Sequence, residues 1–265
     1  MRQECAGFSS DDYLIQKKFR DYAVKHYHFN LIDSTNTWAK ENLNLWDKDG
    51  VTLVTAAEQT HGRGRFKREW FSPKNKNISA TFCFFVNVKQ VNIGQIPQLL
   101  ALSIVQILEN YHVSARLKWP NDVLVNGKKI AGILCETTLD NHRIGVVCGV
   151  GLNINMTIEE MVNIDQKATS LSIEMGKILD LNEVLKQLNV QFLQNWEKFL
   201  IHGFHPFFDS FQERFYHQVG QKMSINNGTE KIDGKFLQVK EDGSICILLT
   251  DGQIQTCLAG EIIQH

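Results

Sequence analysis

The sequence predicts an α/β (α+β) chain in which a mixed or antiparallel sheet carries flanking helices and is followed by a small all-β barrel. Three observations predict it. Apolar runs rich in β-branched and aromatic residues recur between positions 51 and 153, as buried strands require. Two other stretches, 96–111 and 182–202, place their apolar residues at helical spacing. After Gly220 the texture changes to short apolar runs split by Asn, Asp and Gly, the mark of a small barrel.

Composition sets the limits. With 265 residues and 43% apolar content, the chain can build one large core and a small second unit. Its 28 Lys+Arg against 29 Asp+Glu leave no global positive field, which disfavours a general nucleic-acid or membrane-surface binder. Cys5, Cys83, Cys135, Cys148, Cys246 and Cys257 are scattered, with no CxxC pair. They read as reduced core residues of a cytoplasmic protein. Met1-Arg2-Gln3-Glu4-Cys5 lacks an apolar signal core, so no export is expected. The most apolar long segment, 96–111, holds Gln98, Ser103, Gln106 and Glu109 and is too short and polar to span a bilayer.

In chain order, 51–56 and 78–86 read as strands, and 96–111 as a helix carrying Ile96, Leu99, Leu100, Ile104, Ile107 and Leu108 on one stripe. Asn126-Gly127 separates the runs 122–125 and 128–136. Both residues tolerate positive φ, so this is a strong hairpin signal. A second turn at Asp140-Asn141 would deliver the chain into a strand over 144–153. Asp180 and Glu183 form a candidate capping pair for the helix 182–202, and a shorter helix is expected around 207–216. Turns at Asn226-Asn227-Gly228, Asp233-Gly234, Glu241-Asp242-Gly243 and Asp251-Gly252 divide the C-terminal strands. The expected units are 1–218 and 219–265.

The chemistry concentrates in Gly62-Arg63-Gly64-Arg65-Phe66-Lys67-Arg68-Glu69-Trp70, where two glycines accompany four cationic side chains. Glycine lets the backbone approach a ligand, and arginine offers a planar fork suited to phosphate and carboxylate oxygens. Alone, such a loop is more often a solvated or RNA-binding patch. Other segments have ordinary readings too. Ser34 in Asp33-Ser34-Thr35-Asn36 suits a helix N-cap, and Lys118 and Lys129 suit snorkelling strand edges. Asn121 and Asp122 suit a turn, and Gly132, Gly149 and Gly151 suit tight sheet packing.

Taken together and in this order, Asp33-Ser34-Thr35-Asn36, Gln59 with Gly62-Arg63-Gly64-Arg65, Lys118-Trp119-Pro120-Asn121-Asp122 with Lys129-Ile130-Ala131-Gly132-Ile133-Leu134, and Gly149-Val150-Gly151-Leu152-Asn153 resemble the biotin–protein ligases. The resemblance covers residues 31–155, and the small C-terminal barrel also fits. It implies a ligase core like that of the class II aminoacyl-tRNA synthetases with an SH3-like barrel. The implied activity joins biotin and ATP, with Mg2+, into biotinyl-5′-AMP and passes biotin to a lysine of a carboxylase biotin carrier domain, as in a biotin–[acetyl-CoA-carboxylase] ligase. It assigns Ser34, Thr35, Asn36 and Gln59 to the ureido head, and Arg63 and Arg65 to the phosphates. It places Lys129 between the biotin carboxylate and the α-phosphate, Asp122 near phosphate and metal, and Asn153 at the adenine. Gly62, Gly64, Trp70, Lys118, Asn121, Gly132, Leu134 and Gly149 complete the expected binding set, with Lys129, Arg65 and Arg63 as its catalytic members.

Such a reaction needs no protein nucleophile, because fixed cations can hold two anions together and stabilise the growing charge. Two departures from the family pattern stand out. The loop commonly reads GRGR-x-G-R-x-W, whereas Lys67 fills the glycine position of its second half here, with Phe66 and Glu69 in the variable slots. Only about thirty residues precede the first motif, fewer than a winged helix-turn-helix needs, so no operator-DNA binding is expected. His26, His28, His202 and His205 lack Cys or carboxylate partners at metal spacing and read as surface or capping residues rather than a metal site. The alternatives are a lipoate or octanoate ligase of the same fold and a non-catalytic RNA-binding protein. Monomer and homodimer both stay open, with no nucleic acid or membrane partner expected.

Overall fold

Strand β4 (Asn77–Val86) explains the architecture, because its alternate residues face two different environments. Ile78, Ala80, Phe82, Phe84 and Val86 join the large core, whereas Cys83 and partly buried Phe85 belong to a smaller one. The computed structural model describes residues 13–19, 22–87, 91–140, 143–162 and 164–263. The strands β1 (Tyr13–Phe19), β2 (Tyr22–Phe29), β3 (Thr52–Ala56), β5 (Arg116–Lys118), β6 (Asp122–Val125), β7 (Lys128–Asp140) and β8 (Arg143–Asn153) complete the sheet around β4, in the order β1-β2-β3-β4-β8-β7-β6-β5. Among the described strands of this sheet β2 and β3 run parallel, and the other pairs are antiparallel.

Helices cover both faces. On the first face lie α2 (Ile96–Asn110) and α5 (Leu181–His202), with α1 (Thr35–Glu41) against the second. The Phe82 ring lies tilted 4.4 Å from Phe192, and Phe84 lies 4.2 Å from Trp196. Burying each such ring stabilises the fold by about 1.5–3 kcal/mol. Beyond α1, short α3 (Ile158–Met161) and α4 (Leu171–Met175) precede α5, and α6 (His205–Glu213) leads to the second sheet. Among the described residues no helix is long and apolar enough to cross a membrane.

The second sheet holds β9 (Lys222–Asn226), β10 (Lys231–Val239), β11 (Ile245–Leu249), β12 (Ile254–Cys257) and β13 (Glu261–Ile263), all antiparallel, in the order β12-β11-β10-β9-β13. It is tied to the first unit by backbone acceptors in the β10–β11 turn. Gln95 Nε2 donates to the Glu241 carbonyl at 2.8 Å and Trp119 Nε1 to the Gly243 carbonyl at 3.0 Å.

Several expectations change here. Asp233-Gly234 is no turn but lies inside β10, because the Gly234 backbone packs so closely that an added Cβ would sit 2.4 Å from the Leu248 carbonyl oxygen. Close approach, not chain reversal, is what this glycine serves. Asp180 caps α5 by accepting from Asn182 N–H at 2.9 Å, whereas the Glu183 carboxylate takes a bond from Gln187, so the expected reciprocal pair is absent. His26 is buried rather than superficial, and it shares the Thr55 hydroxyl with His28 at 2.7 and 2.9 Å. Strand β7 runs on past Glu136 to Asp140. Cys5 and Asn141 lie outside the described residues. Cys83, Cys135, Cys148, Cys246 and Cys257 are free thiols. The Asn126-Gly127 turn is as expected, with φ of 51° and 72°.

His217 sits at the joint between the two sheets, 6.2 Å from the Phe236 ring and buried. Burial, reinforced by the Lys118 charge, pushes its pKa down to about 4. Below its ordinary pKa of 6.5 the unfolded chain binds a proton that the folded chain refuses, so stability falls from pH 6.5 towards 4 and levels off below. The expected loss across that window is roughly 3 kcal/mol. His217→Phe should flatten the pH dependence of the urea midpoint there. An unchanged slope would assign the acid sensitivity elsewhere.

Candidate functional site

The second face of the first sheet carries unusually small residues, which opens a cleft beside α1. Register places Gly132 opposite Gly151 and Leu134 opposite Gly149, with Ser79 and Thr81 on β4 beside them. A Cβ on Gly149 would lie 2.1 Å from Asn36 Oδ1, and one on Gly151 would lie 2.1 Å from the Trp70 ring. The glycines are therefore the room in which these side chains sit. Trp70 Nε1 is buried without an acceptor among the described residues.

The cleft gathers Ser34, Thr35, Asn36, Gln59, Arg63, Gly64, Arg65, Trp70, Lys118, Asn121, Asp122, Lys129, Gly132, Leu134 and Gly149. Two expected members do not line it. Gly62 lies in an adjoining depression, pressed against the Trp70 carbonyl. Asn153 is buried at the end of β8, where its Nδ2 donates to the Thr169 carbonyl at 3.1 Å and its Oδ1 has no donor among the described residues.

One end of the cleft is neutral and densely hydrogen-bonded. Ser34 caps α1, its hydroxyl accepting from Thr37 N–H at 3.5 Å. Thr35 donates through N–H and hydroxyl to Gln59 Oε1 at 2.9 and 3.1 Å. The Thr81 hydroxyl reaches Thr35 Oγ1 at 2.8 Å and Asn36 Oδ1 at 2.7 Å. Capping and ligand-facing polarity thus coexist in the same three residues.

The other end is cationic. Lys129 Nζ stands 2.7 Å from Asp122 Oδ1 and 5.5 Å from the Trp70 ring centroid. Its direction comes from a bulge. Asp122 and Val123 pair with Gly132 and Ala131, but Leu124 pairs with Lys129, leaving Ile130 as the extra residue. In an unbroken strand Lys129 would point opposite to Gly132; the bulge turns it onto the same face. Lys128 is exposed. Arg65 Nη1 donates to Asn121 Oδ1 at 3.5 Å and to the Gly260 carbonyl at 3.0 Å. Burial pulls the Arg65 and Lys118 pKa values down, with Asp122 opposing in both cases.

Arg63 and Arg65 separate. Arg63 makes a bidentate pair with Glu136 at 3.0 and 3.2 Å and so faces the neutral end, away from Lys129. Glu136 also accepts from Lys40 at 2.8 Å and from Asn36 at 3.1 Å. Burial pushes its carboxyl up, but these bonds and the Arg63 charge outweigh it and hold the group below its ordinary range.

Sequence reading missed Glu136, Glu261 and the Gly260 carbonyl. Glu136 had a signal, since Gly132, Leu134 and Glu136 share one strand face. Gly260 and Glu261, which meets Arg68, had none, as only the fold brings β13 to the loop.

Phe66 and Lys67 both have left-handed φ, 55° and 60°. Glycine avoids the cost of about 1–2 kcal/mol that such a backbone imposes on other residues. Lys67→Gly is therefore expected to raise the unfolding free energy by about 0.5–1 kcal/mol in urea denaturation, after glycine's own entropy cost. A loss of stability would show that the Lys67 side chain outweighs its backbone strain.

Comparison with known proteins follows the same lines. Residues 28–153 match the Biotin/lipoate A/B protein ligase family. The bifunctional ligase/repressor BirA of Bacillus subtilis is 30% identical over 229 residues, covering 85% of this chain and 70% of that one. The biotin–[acetyl-CoA-carboxylase] ligase of Paracoccus denitrificans is 30% identical over 223 residues, covering 81% of this chain and 90% of that one. Among solved structures, the Aquifex aeolicus biotin protein ligase in complex with biotin and ATP superposes with a TM-score of 0.72 at 32% identity, covering 90% of this chain and 97% of that one. Extended similarity in sequence and in structure, over the segments that build the cleft, means that the chain belongs to the biotin/lipoate A/B protein ligase family and is one of its biotin–protein ligases.

Proposed function

We propose that the cleft binds biotin and ATP, joins them as biotinyl-5′-AMP, and passes the biotinyl group to a lysine of a carboxylase biotin carrier domain. The observation that carries this reading is the polarity of the cleft, neutral at the Ser34, Thr35, Asn36 and Gln59 end and cationic at the Lys118, Lys129 and Arg65 end. A ureido ring is neutral and rich in donors and acceptors, whereas the carboxylate and triphosphate are anionic. A substrate pair of that polarity suits both ends at once.

In the first step a biotin carboxylate oxygen forms a bond to the α-phosphorus as its bond to the bridging oxygen breaks, and pyrophosphate leaves with that electron pair. Two anions must meet, and negative charge moves to the leaving group. Lys129 and Arg65 supply fixed positive charge in a partly desolvated setting, where it is worth more than in water. In the second step the neutral carrier lysine attacks the acyl carbon, AMP departs, and the amine gives up a proton. Asn153 lies outside the cleft lining, but its buried Oδ1 finds no donor among the described residues, and that unmet acceptor is what supports assigning it to the nucleotide base.

Magnesium would enter with the phosphates. Asp122 fits a site completed by phosphate oxygens and water, the usual way this ion is held. Among the described residues no three His, Cys, Asp or Glu side chains gather to hold a metal by themselves. Residues 1–218 act as the ligase unit and 219–265 as the barrel that carries Gly260 and Glu261 to the loop. A cytoplasmic location goes with the free thiols.

The test uses purified protein with ATP, magnesium, biotin and an isolated biotin carrier domain. Mass spectrometry is expected to find one biotinyl group on the carrier lysine. Modification with lipoate or octanoate in place of biotin would move the protein to the other branch of its family.

A further inference from the structure

Resting on that reading, we propose that Glu136 is a positioning residue that anchors the arginine loop to the head-group end of the cleft and sets the orientation of Asn36. Its carboxylate connects three separate elements. Lys40 and Asn36 come from α1, Arg63 from the loop, and Glu136 itself from β7.

Two geometric facts support the role. First, Asn36 has its amide fixed from both sides. Its Nδ2 donates to Glu136 Oε2 and to the Leu134 carbonyl, each at 3.1 Å, and its Oδ1 accepts from Thr81. Without an acceptor at position 136 the Nδ2 group keeps only the Leu134 carbonyl, and a neutral acceptor there holds the amide less firmly than the carboxylate does. Second, the Arg63 pair is bidentate with the Glu136 side chain only 19% exposed. A planar fork pair of this kind restrains direction as well as distance. The Arg63–Glu69 bridge then passes that restraint to the strand-like return of the loop. Trp70 follows immediately and lies over Gly151. Glu136 therefore acts through Arg63 on the loop and through Asn36 on the head-group site.

Lys129 lies seven residues earlier on β7, roughly 20 Å away at strand rise. The anchor therefore acts first on biotin affinity and reaches the cationic end only indirectly, through the loop that carries Arg65 and Trp70. Glu136→Gln keeps one acceptor oxygen for Asn36 but removes the charge that holds Arg63 and Lys40, whereas Glu136→Ala removes both functions.

The test is a double-mutant cycle on the full chain with Glu136→Gln, Arg63→Gln and the two combined. Calorimetry reads biotin and ATP separately, and limited trypsinolysis without ligand reads cutting at Arg65, Lys67 and Arg68. Each single variant is expected to weaken biotin binding about tenfold, as loss of one charge-assisted interaction does. The double variant should be no weaker than the poorer single one, giving a coupling of about tenfold or more. ATP affinity should stay within about threefold, Glu136→Ala should bind biotin less well than Glu136→Gln, and each variant should be cut faster than the parent. Additive losses, equal losses for biotin and ATP, or unchanged cutting would overturn the proposal. A parent that fails to bind biotin would overturn the functional reading instead, and the cutting rates would still decide whether Glu136 anchors the loop.

Discussion

Lys129→Ala lowers the rate of biotinyl-adenylate formation by roughly a hundred- to a thousandfold, the usual cost of removing one preorganised charge from a developing anion. The direction follows from placement. Lys129 reaches the cleft only because the β7 bulge reverses its face, and Asp122 at 2.7 Å and the Trp70 ring hold the ammonium there. Its strand neighbours Ile130 and Ala131 carry the packing, both fully buried. Alanine at 129 therefore leaves the core intact, and melting should stay within a few degrees of the parent. Rapid-quench measurement of adenylate in a single turnover separates the chemical step from release. A rate within a few-fold of the parent would remove Lys129 from the assigned role.

A single methyl group is expected to do comparable damage on the floor. In Gly149→Ala the new Cβ would lie 2.1 Å from Asn36 Oδ1 and 2.8 Å from its Cγ, and Asn36 has little freedom to yield. Three neighbours bind it, Thr81, Leu134 and Glu136. Either Asn36 gives up those bonds or the β8 backbone shifts, and overpacking of this kind costs about 1–3 kcal/mol in stability. The head-group site loses its geometry in both cases, so biotin affinity should fall at least about a hundredfold, as for two lost charge-assisted or buried bonds. ATP affinity should change far less. Calorimetry showing the larger loss for ATP would place the ureido site elsewhere on the sheet.

How much of this was legible in the sequence varies with the range of the forces involved. Local signals were dependable. Asn126-Gly127 was a readable hairpin because both residues adopt φ that others avoid, and α2 was readable from its helically spaced apolar residues, although the fold buries it well beyond that one stripe. Several motif segments pointed to one cleft, and the fold does bring Ser34, Gln59, Arg65, Asp122 and Lys129 together. What failed was whatever depends on a distant partner. Asp233-Gly234 looked like a turn because the dipeptide favours one, yet packing against Leu248 keeps it in β10. The separation of Arg63 from Arg65 was invisible, since the residues that part them, Glu136 and Gly260, lie far along the chain. The β7 bulge was equally hidden, because simple alternation puts Lys129 on the wrong face.

Pyrophosphate exchange tests the central claim most directly, because it isolates the first half-reaction from any carrier protein. Purified protein is mixed with ATP, magnesium and labelled pyrophosphate, and the appearance of labelled ATP is followed with biotin, lipoate or octanoate present, or with no acid at all. Rapid exchange with biotin and background exchange with the other acids is the expected result. Exchange supported by lipoate or octanoate but not by biotin, or by none of the three, would contradict a cleft built to join a ureido acid to ATP.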